Sequence, residues 1–258
     1  PLSRIHIVHF SFSAAMAYQA LQRTSGIQVR EKVSLIEAAT AMMGQEVEMA
    51  NKYKIFDESG DRELFYAVEK TDCCTRQLKQ CMGDCAPWNV EILYTEGGAQ
   101  QKAFVLERGF TCTCCCFNRP KVQVTDVSRG ETIGYVVDPC ACCGLTFKML
   151  DAGDNIVNTA EGGCCQLGLC CPMPCGPCAT VSFDINNPSG NKVGQMTKKV
   201  PGCCKFFFAP DVDNYRVDFS GIDDPKARAL LMALTIFVDF RYFSDNSNDE
   251  GQQNPPVE

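Results

Sequence analysis

The segment NKYKIFDESGDRELFYAVEK, residues 51–70, contains the pattern that decides the fold. Apolar and polar residues alternate in its first half, an Asp-Glu-Ser-Gly sequence interrupts them, and a second apolar run follows. Because successive side chains of a β-strand point to opposite faces of a sheet, this alternation predicts a strand with one buried face. The segment therefore predicts two antiparallel strands joined by a short turn.

Three later segments follow the same plan and extend the prediction to most of the chain. They are residues 88–109 around Gly97-Gly98, residues 145–162 around an Asp-rich turn, and residues 179–199 around a Pro-Ser-Gly-Asn turn. Their spacing is too irregular for a solenoid of equal repeats. Many short strands joined by turns instead predict a mainly β protein with a closed antiparallel sheet.

The segment PKARALLMALTIFVDFRYF, residues 225–243, has a different pattern and predicts a helix. Proline is favoured in the first turn of a helix, and the stretch from Ala229 to Val238 is almost entirely apolar. A membrane-spanning helix needs about 20 apolar residues, whereas this run ends at Asp239. We therefore expect a helix buried inside the closed sheet, and a single membrane-spanning helix is the alternative.

The chain has the composition of a globular protein, with 45% hydrophobic and 21% charged residues among 258. Its net charge of −7 argues against binding of nucleic acid, which needs a basic surface. The 19 cysteines are odd in number and often adjacent. Neighbouring cysteines rarely bridge each other, so a set of disulfides is disfavoured. A secreted disulfide-bonded protein remains an alternative that a count of thiols would test.

One group of cysteines has a spacing close to that of a metal site. In CCPMPCGPC, residues 170–178, Cys171, Cys175 and Cys178 form a C-x3-C-x2-C pattern. Thiolates suit Zn²⁺ or iron–sulfur clusters, and a cysteine among residues 140–143 could supply a fourth ligand. Cysteines that serve only as structural residues are the competing interpretation.

The segment GQMTKKVPGCCKFFF, residues 194–208, places lysines beside phenylalanines. Basic and aromatic residues together favour the surface of a membrane with anionic lipids. A solvated turn that precedes a core strand is the alternative. The residues of this predicted membrane patch are Lys198, Lys199, Lys205, Phe206, Phe207 and Phe208.

The sequence offers no recognisable catalytic constellation. It has no Gly-rich phosphate loop, and its two histidines lie at the N-terminal edge. The segment TDCCTR, residues 71–76, places cysteines between Asp72 and Arg76 but has no nearby histidine to activate a thiolate. We therefore predict a transport or binding protein and not an enzyme.

Four motifs occur in the order in which the phospholipid scramblases carry them. They are NKYKIFDESGDRELFYAVEKTDCCTR (51–76), FVLERGFTCTCCCF (104–117), IGYVVDPCACCGLTFKMLD (133–151) and APDVDNYRVDF (209–219). The chain thus resembles this family over residues 27–243. Residues 1–26 are a poorly matched N-terminal extension. Residues 244–258 are polar and acidic, which is typical of a disordered tail.

The resemblance implies a Tubby-like fold, a closed antiparallel β-barrel of about twelve strands around a central hydrophobic C-terminal helix. It also implies Ca²⁺-stimulated, ATP-independent movement of phospholipids between the two leaflets of a membrane. The alternative is a lipid-binding or membrane-docking adaptor, or a signalling module, of the same fold without transport activity. A phospholipid membrane is the expected partner, together with partner proteins.

Residues 112–116 align with the palmitoylation motif of this family, which has two cysteine pairs around a Phe-Pro sequence. Cys115-Cys116 and Phe117 match its first half, and residues 118–120 stand in place of the second pair. Two acyl chains anchor a protein stably where one does not. Buried small thiols are the alternative. The predicted acylation sites are Cys112, Cys114, Cys115 and Cys116.

Residues 211–223, DVDNYRVDFSGID, align with the EF-hand-like calcium segment proposed for the family. Arg216 replaces the glycine that the sharp turn of such a loop needs, and Ile222 replaces its final acid. Any Ca²⁺ binding is therefore expected to be weak. Alternation across the segment also fits an acidic turn that enters a strand. The candidate ligands are Asp211, Asp213, Tyr215 and Asp223.

The resemblance places the chain at the cytoplasmic face of the plasma membrane or of endomembranes. Attachment is expected through S-acylation or, alternatively, through a single spanning helix. Part of the segment 194–208 also matches a nuclear-import segment of the family, which implies an additional nuclear pool. The expected cofactors are weakly bound Ca²⁺ and, at the thiolates of residues 171–178, Zn²⁺.

Overall fold

The computed structural model describes residues 15–32, 51–70, 75, 85–113, 116–141, 144–170, 176–199 and 211–242. Its strands are β1 (Gly26–Lys32), β2 (Lys52–Asp57), β3 (Glu63–Glu69), β4 (Trp88–Glu96), β5 (Ala99–Arg108), β6 (Lys121–Asp126), β7 (Glu131–Val137), β8 (Gly144–Asp151), β9 (Ile156–Gly163), β10 (Thr180–Asn186), β11 (Lys192–Lys199) and β12 (Asp211–Asp218). Each strand pairs antiparallel with its neighbours in sequence, and β12 pairs with β1 to close a barrel. The predicted mainly β, closed antiparallel barrel is confirmed.

The described residues also form helices. They are α1 (residues 15–23), α2 (Leu167–Cys170) and α3 (Pro225–Tyr242). A 3₁₀ turn follows α2 at Gly176–Ala179. No helix in the described part of the chain is both long enough and apolar enough to cross a membrane.

Helix α3 fills the interior of the barrel. Asp224 caps its N-terminus, where the backbone amide of Lys226 donates to the Asp224 carboxylate at 3.0 Å. Every residue from Ala227 to Phe240 is buried. A helix that is apolar on all sides needs apolar surroundings on all sides, and the inward faces of the strands supply them. The prediction of a central helix buried inside the barrel is confirmed.

Aromatic side chains of the sheet pack against the second half of α3. Trp88 stacks on Phe240 with ring centroids 4.8 Å apart, and Phe147 meets Phe237 edge-on at 6.0 Å. Such rings bury large apolar areas, and truncating one to alanine typically costs about 3–5 kcal/mol of stability. These contacts fix the depth of the helix within the barrel.

A single arginine joins the start of α3 to α1. The Arg228 guanidinium donates from Nη1 to the backbone oxygens of Leu21 and Thr24, at 2.6 and 2.8 Å. Its Nε donates to the backbone oxygen of Ile222 at 2.5 Å. Because burying an unpaired charged donor is costly, these bonds hold α1 over the end of the barrel where α3 begins.

The two ends of the barrel differ because consecutive connections alternate between them. Short turns join β2 to β3, β4 to β5, β6 to β7, β8 to β9 and β10 to β11, and we call this the turn end. Gly97 and Gly98, with φ of 58° and 84°, make the two-residue turn between β4 and β5 there. We call the opposite end the cysteine end. Its connections are residues 33–51, 70–87, 109–120, 138–143, 164–179 and 200–210.

All 19 cysteines of the chain fall in five of the cysteine-end connections, those that follow β3, β5, β7, β9 and β11. Those cysteines that the structure describes, although far apart in sequence, thereby share one end of the barrel. Helix α3 begins at the turn end and ends at the cysteine end, since it follows β12 back through the interior. The topology therefore concentrates thiol groups at this end of the barrel.

Candidate functional site

The predicted acylation sites belong to the connection 109–120 at the cysteine end. Cys112 and Cys116 are exposed there, whereas Cys114 and Cys115 lie outside the described residues. An acyltransferase can modify only a thiol that it can reach. The exposure of Cys112 and Cys116 is therefore compatible with acylation, which stays a prediction.

Exposed apolar side chains accompany these cysteines. Phe110 is 55% exposed and Phe117 is 71% exposed, one on each side of the cysteine cluster. Leu167, at the start of α2 in the connection 164–179, is 49% exposed. Ile156, which is 41% exposed, begins β9 at the turn end. Large apolar side chains that cluster on a surface mark sites of contact with membranes or partners.

An ion-pair group ties the connection 109–120 to the end of the central helix. Asp138 is 3% exposed. Its Oδ2 accepts hydrogen bonds from Arg119 Nη2 at 2.7 Å and from Arg241 Nε at 3.0 Å. Arg119 Nε also donates to the backbone oxygen of Asp138 at 3.0 Å. Because charge-assisted bonds of this kind are among the strong ones, the base of the loop is fixed relative to α3.

A second buried carboxylate lies just inside the cysteine end. Asp239 of α3 accepts hydrogen bonds from the hydroxyls of Tyr53 and Tyr215, at 2.8 and 2.9 Å, and from Lys198 Nζ at 2.9 Å. These donors come from β2, β12 and β11, so a single helix residue bonds to three strands. Burial, together with the negative charge of Asp239, raises the pKa of both tyrosine hydroxyls well above the usual value. The group therefore holds the helix with neutral phenols and one ion pair.

The position of Lys198 corrects the predicted membrane patch. Its side chain points into the barrel toward Asp239 and is only 10% exposed, so it takes no part in an outer basic surface. Lys199, the next residue, is exposed. Lys205 and residues 206–208 lie outside the described residues, in the connection 200–210 of the cysteine end. Without Lys198, the remaining patch stays a prediction.

The structure does not bring the four calcium candidates together. Asp211 and Asp213 lie on strand β12, while Asp223 follows it at the turn end. At about 3.4 Å per residue, β12 is about 24 Å long, whereas the oxygens that bind one Ca²⁺ lie within about 5 Å of each other. Tyr215 faces the interior and donates to Asp239. The strand therefore separates these residues along the barrel, and calcium binding by this segment stays a prediction.

The zinc prediction falls largely outside the described residues. Cys171 and Cys175 are not among them, and Cys178 is half-buried within the 3₁₀ turn. Among the residues that are described, no group of three or more His, Cys, Asp or Glu is arranged to hold a metal ion. The zinc site stays a prediction.

Sequence analysis missed a second group of exposed thiols. Cys140, Cys164 and Cys165 are exposed in the connections 138–143 and 164–179. Numbering the predicted hairpins would have found them, because connections that follow odd-numbered strands of a closed meander share one end.

Comparison with known proteins gives one consistent result. A family model described as Scramblase matches residues 7–245. The chain is 28% identical over 232 residues to phospholipid scramblase 1 of Rattus norvegicus, which covers 89% of this chain and 63% of that protein. It is 28% identical over 225 residues to phospholipid scramblase 2 of Bos taurus, covering 86% of this chain and 70% of that protein.

A more distant relative is phospholipid scramblase 4 of Homo sapiens, 26% identical over 200 residues, which covers 76% of this chain and 56% of that protein. The chain thus spans less than two thirds of the rat relative's length. No solved structure matches the chain.

Proposed function

Since the chain belongs to the phospholipid scramblase family, we propose that it is a membrane-associated protein that promotes Ca²⁺-stimulated, ATP-independent movement of phospholipids between leaflets. It docks on the bilayer with the cysteine end, and S-acylation of residues 112–116 anchors it there. The proposed location is the cytoplasmic face of the plasma membrane or of an endomembrane.

One observation carries this proposal: exposed aromatic rings and exposed thiols share one end of the barrel. Phe110 and Phe117 present apolar surface beside Cys112 and Cys116. Aromatic side chains suit the membrane interface, and acyl chains on adjacent thiols would add stable anchoring. Lys70 and Lys199, both exposed at the same end, are positioned to meet anionic headgroups.

The path of the lipid runs outside the barrel in this proposal. Helix α3 occupies the interior, and its residues from Ala227 to Phe240 are buried. A headgroup therefore has no room to pass along the barrel axis. Lipid movement would instead result from local disorder that the docked cysteine end imposes on the bilayer. Calcium would act at the same end, where Asp211 and Asp213 begin β12.

The filled interior also favours a second candidate function. A membrane-docking adaptor would need the same exposed end but no path for lipid. A barrel with a packed interior is therefore compatible with this function. The two candidates make the same prediction for membrane binding and opposite predictions for lipid movement.

The test reconstitutes the purified full chain into vesicles with a fluorescent phospholipid and measures how much of it becomes accessible to an impermeant quencher, with and without Ca²⁺. The variant Asp211→Ala/Asp213→Ala tests the calcium dependence, and Asp184→Ala on the exposed face of β10 is its matched control. Faster exposure with Ca²⁺, lost only in the double variant, supports the transporter. Flotation with the vesicles but no lipid movement supports the adaptor.

A further inference from the structure

Among the described residues, five exposed cysteines lie at one end of the barrel and need an explanation. Cysteine is among the residue types most often buried in folded proteins. Yet Cys112, Cys116, Cys140, Cys164 and Cys165 are all exposed in connections of the cysteine end. Only the first two belong to the predicted acylation cluster, so the adjacent pair Cys164-Cys165 requires a separate account.

The pair Cys164-Cys165 is presented on a well-ordered part of the chain. It follows directly on β9, and the two Sγ atoms lie 3.6 Å apart. The next residue, Gln166, donates from Nε2 to the backbone oxygen of Ser182 at 2.8 Å and accepts from the Ser182 amide at 2.7 Å. These two bonds join the Gln166 side chain to the backbone of β10. The thiols are therefore held at a fixed place on the barrel rim.

The surroundings of the pair favour a lipid surface as its partner. Leu167, two residues beyond Cys165, is 49% exposed at the same end as Phe110 and Phe117. At the turn end, exposed acidic side chains outnumber exposed basic ones among the described residues. Examples are Glu58, Asp61, Glu96, Glu131 and Asp223. An anionic bilayer repels the turn end, which favours contact through the opposite, cysteine end.

We propose that Cys164 and Cys165 are a second S-acylation site, separate from residues 112–116, and that the two sites together hold the barrel upright on the membrane. The proposal rests on the membrane association proposed above but not on lipid movement.

The reaction uses a long-chain fatty acyl-CoA and a membrane-bound acyltransferase. The cysteine thiolate attacks the thioester carbonyl, a new bond forms between the acyl carbon and Sγ, and the bond from that carbon to the CoA sulfur breaks. CoA leaves as its thiol and carries the proton that the cysteine released. No oxidant or reductant is needed.

Two sites on the rim fix orientation as well as attachment. The connections 109–120 and 164–179 are four strand spacings apart around the barrel, which corresponds to about 19 Å of sheet at about 4.8 Å per strand. Acyl chains at a single point would let the barrel tilt freely about it. Chains at two separated points restrict that tilt and keep Phe110 and Phe117 against the bilayer.

The experiment counts thioester-linked cysteines in the full chain expressed in cells that contain acyltransferases. Thiols are first blocked in denaturant, thioesters are then cleaved with hydroxylamine, and each cysteine released is tagged with a polyethylene-glycol maleimide that shifts the protein on a gel. The variants are Cys164→Ser/Cys165→Ser, its control Cys85→Ser at a half-buried cysteine in the connection 70–87 of the same end, and the quadruple serine variant of residues 112, 114, 115 and 116.

The pair variant should lose one or two of the shifts that the wild type shows, while Cys85→Ser should lose none. If the pair variant keeps every shift, the second site is refuted and the anchor at residues 112–116 stands. If the wild type shows no hydroxylamine-dependent shift, the second site is refuted together with acylation at residues 112–116. A chain that shows the shifts from the pair but moves no lipid in vesicles supports the second site and refutes only the transport function.

Discussion

Replacing Phe117 by alanine should weaken docking on a membrane without affecting the fold. The side chain is 71% exposed, and because phenylalanine has roughly 200 Å² of surface, about 140 Å² remains for contact with lipid. If half of this area enters the apolar layer, it contributes about 1.8 kcal/mol at about 25 cal/mol per Å², which corresponds to about 20-fold in binding.

The assay is co-flotation of the purified, unacylated full chain with vesicles that contain anionic lipid, over a range of lipid concentrations. Phe117→Ala should raise the lipid concentration for half-maximal binding by about 20-fold, and Phe110→Ala by about 10-fold, in proportion to its smaller exposure of 55%. The urea midpoint of unfolding should stay the same for both, because neither ring belongs to the core.

Ile156→Ala is the matched control, because Ile156 is also an exposed apolar residue but lies at the turn end. It should change vesicle binding by less than about twofold. If Ile156→Ala weakens binding as much as Phe117→Ala, the protein does not dock with a particular end. If Phe117→Ala has no effect, the exposed rings of the cysteine end do not contact lipid, and the docking model is wrong.

Two further predictions concern the buried carboxylate of α3. Asp239→Asn leaves the buried ammonium of Lys198 without its counter-charge and should lower the free energy of unfolding by about 3–5 kcal/mol in urea titrations. Asp184→Asn, which breaks the half-exposed pair with Lys192, should lower it by less than about 1 kcal/mol, and equal losses would contradict the burial argument. Burial raises the pKa of Tyr53 and Tyr215, so the folded chain keeps their hydroxyl protons near pH 10, where the unfolded chain releases them. The free energy of unfolding should therefore fall as the pH rises above about 10. Tyrosinate absorbance from a buried pair should then appear only with unfolding, and its appearance in the folded protein would refute this.

The barrel and its helix were predictable because their patterns are local. The alternation in residues 51–70 fixes a hairpin within twenty residues of chain, and an apolar run without a polar face fixes a buried helix. The same alternation, followed further, would have shown which residues of two predicted sites face inward. In β11 the residues that face inward are Gly194, Met196 and Lys198, so Lys198 shares the period of the core.

The calcium and buried-carboxylate results show what a motif alignment omits. The inward-facing residues Tyr215, Val217 and Phe219 already indicated a strand, and a strand cannot wrap its residues around one ion. The partners of Asp239 are separated from it by 186, 41 and 24 positions. No local pattern links such residues, because closure of the barrel alone brings them together.

The position of the core helix at the end of the fold affects how the chain matures during translation. The inward faces of the strands pack on a segment that the ribosome makes after the last of them. Until Phe240 has left the exit tunnel, the nascent barrel has no core, and β1 must wait for β12 to pair with its free edge. A chain that ends a few dozen residues earlier would therefore expose the apolar inner face of an unfilled sheet to chaperones and proteases. It would not be a smaller working protein.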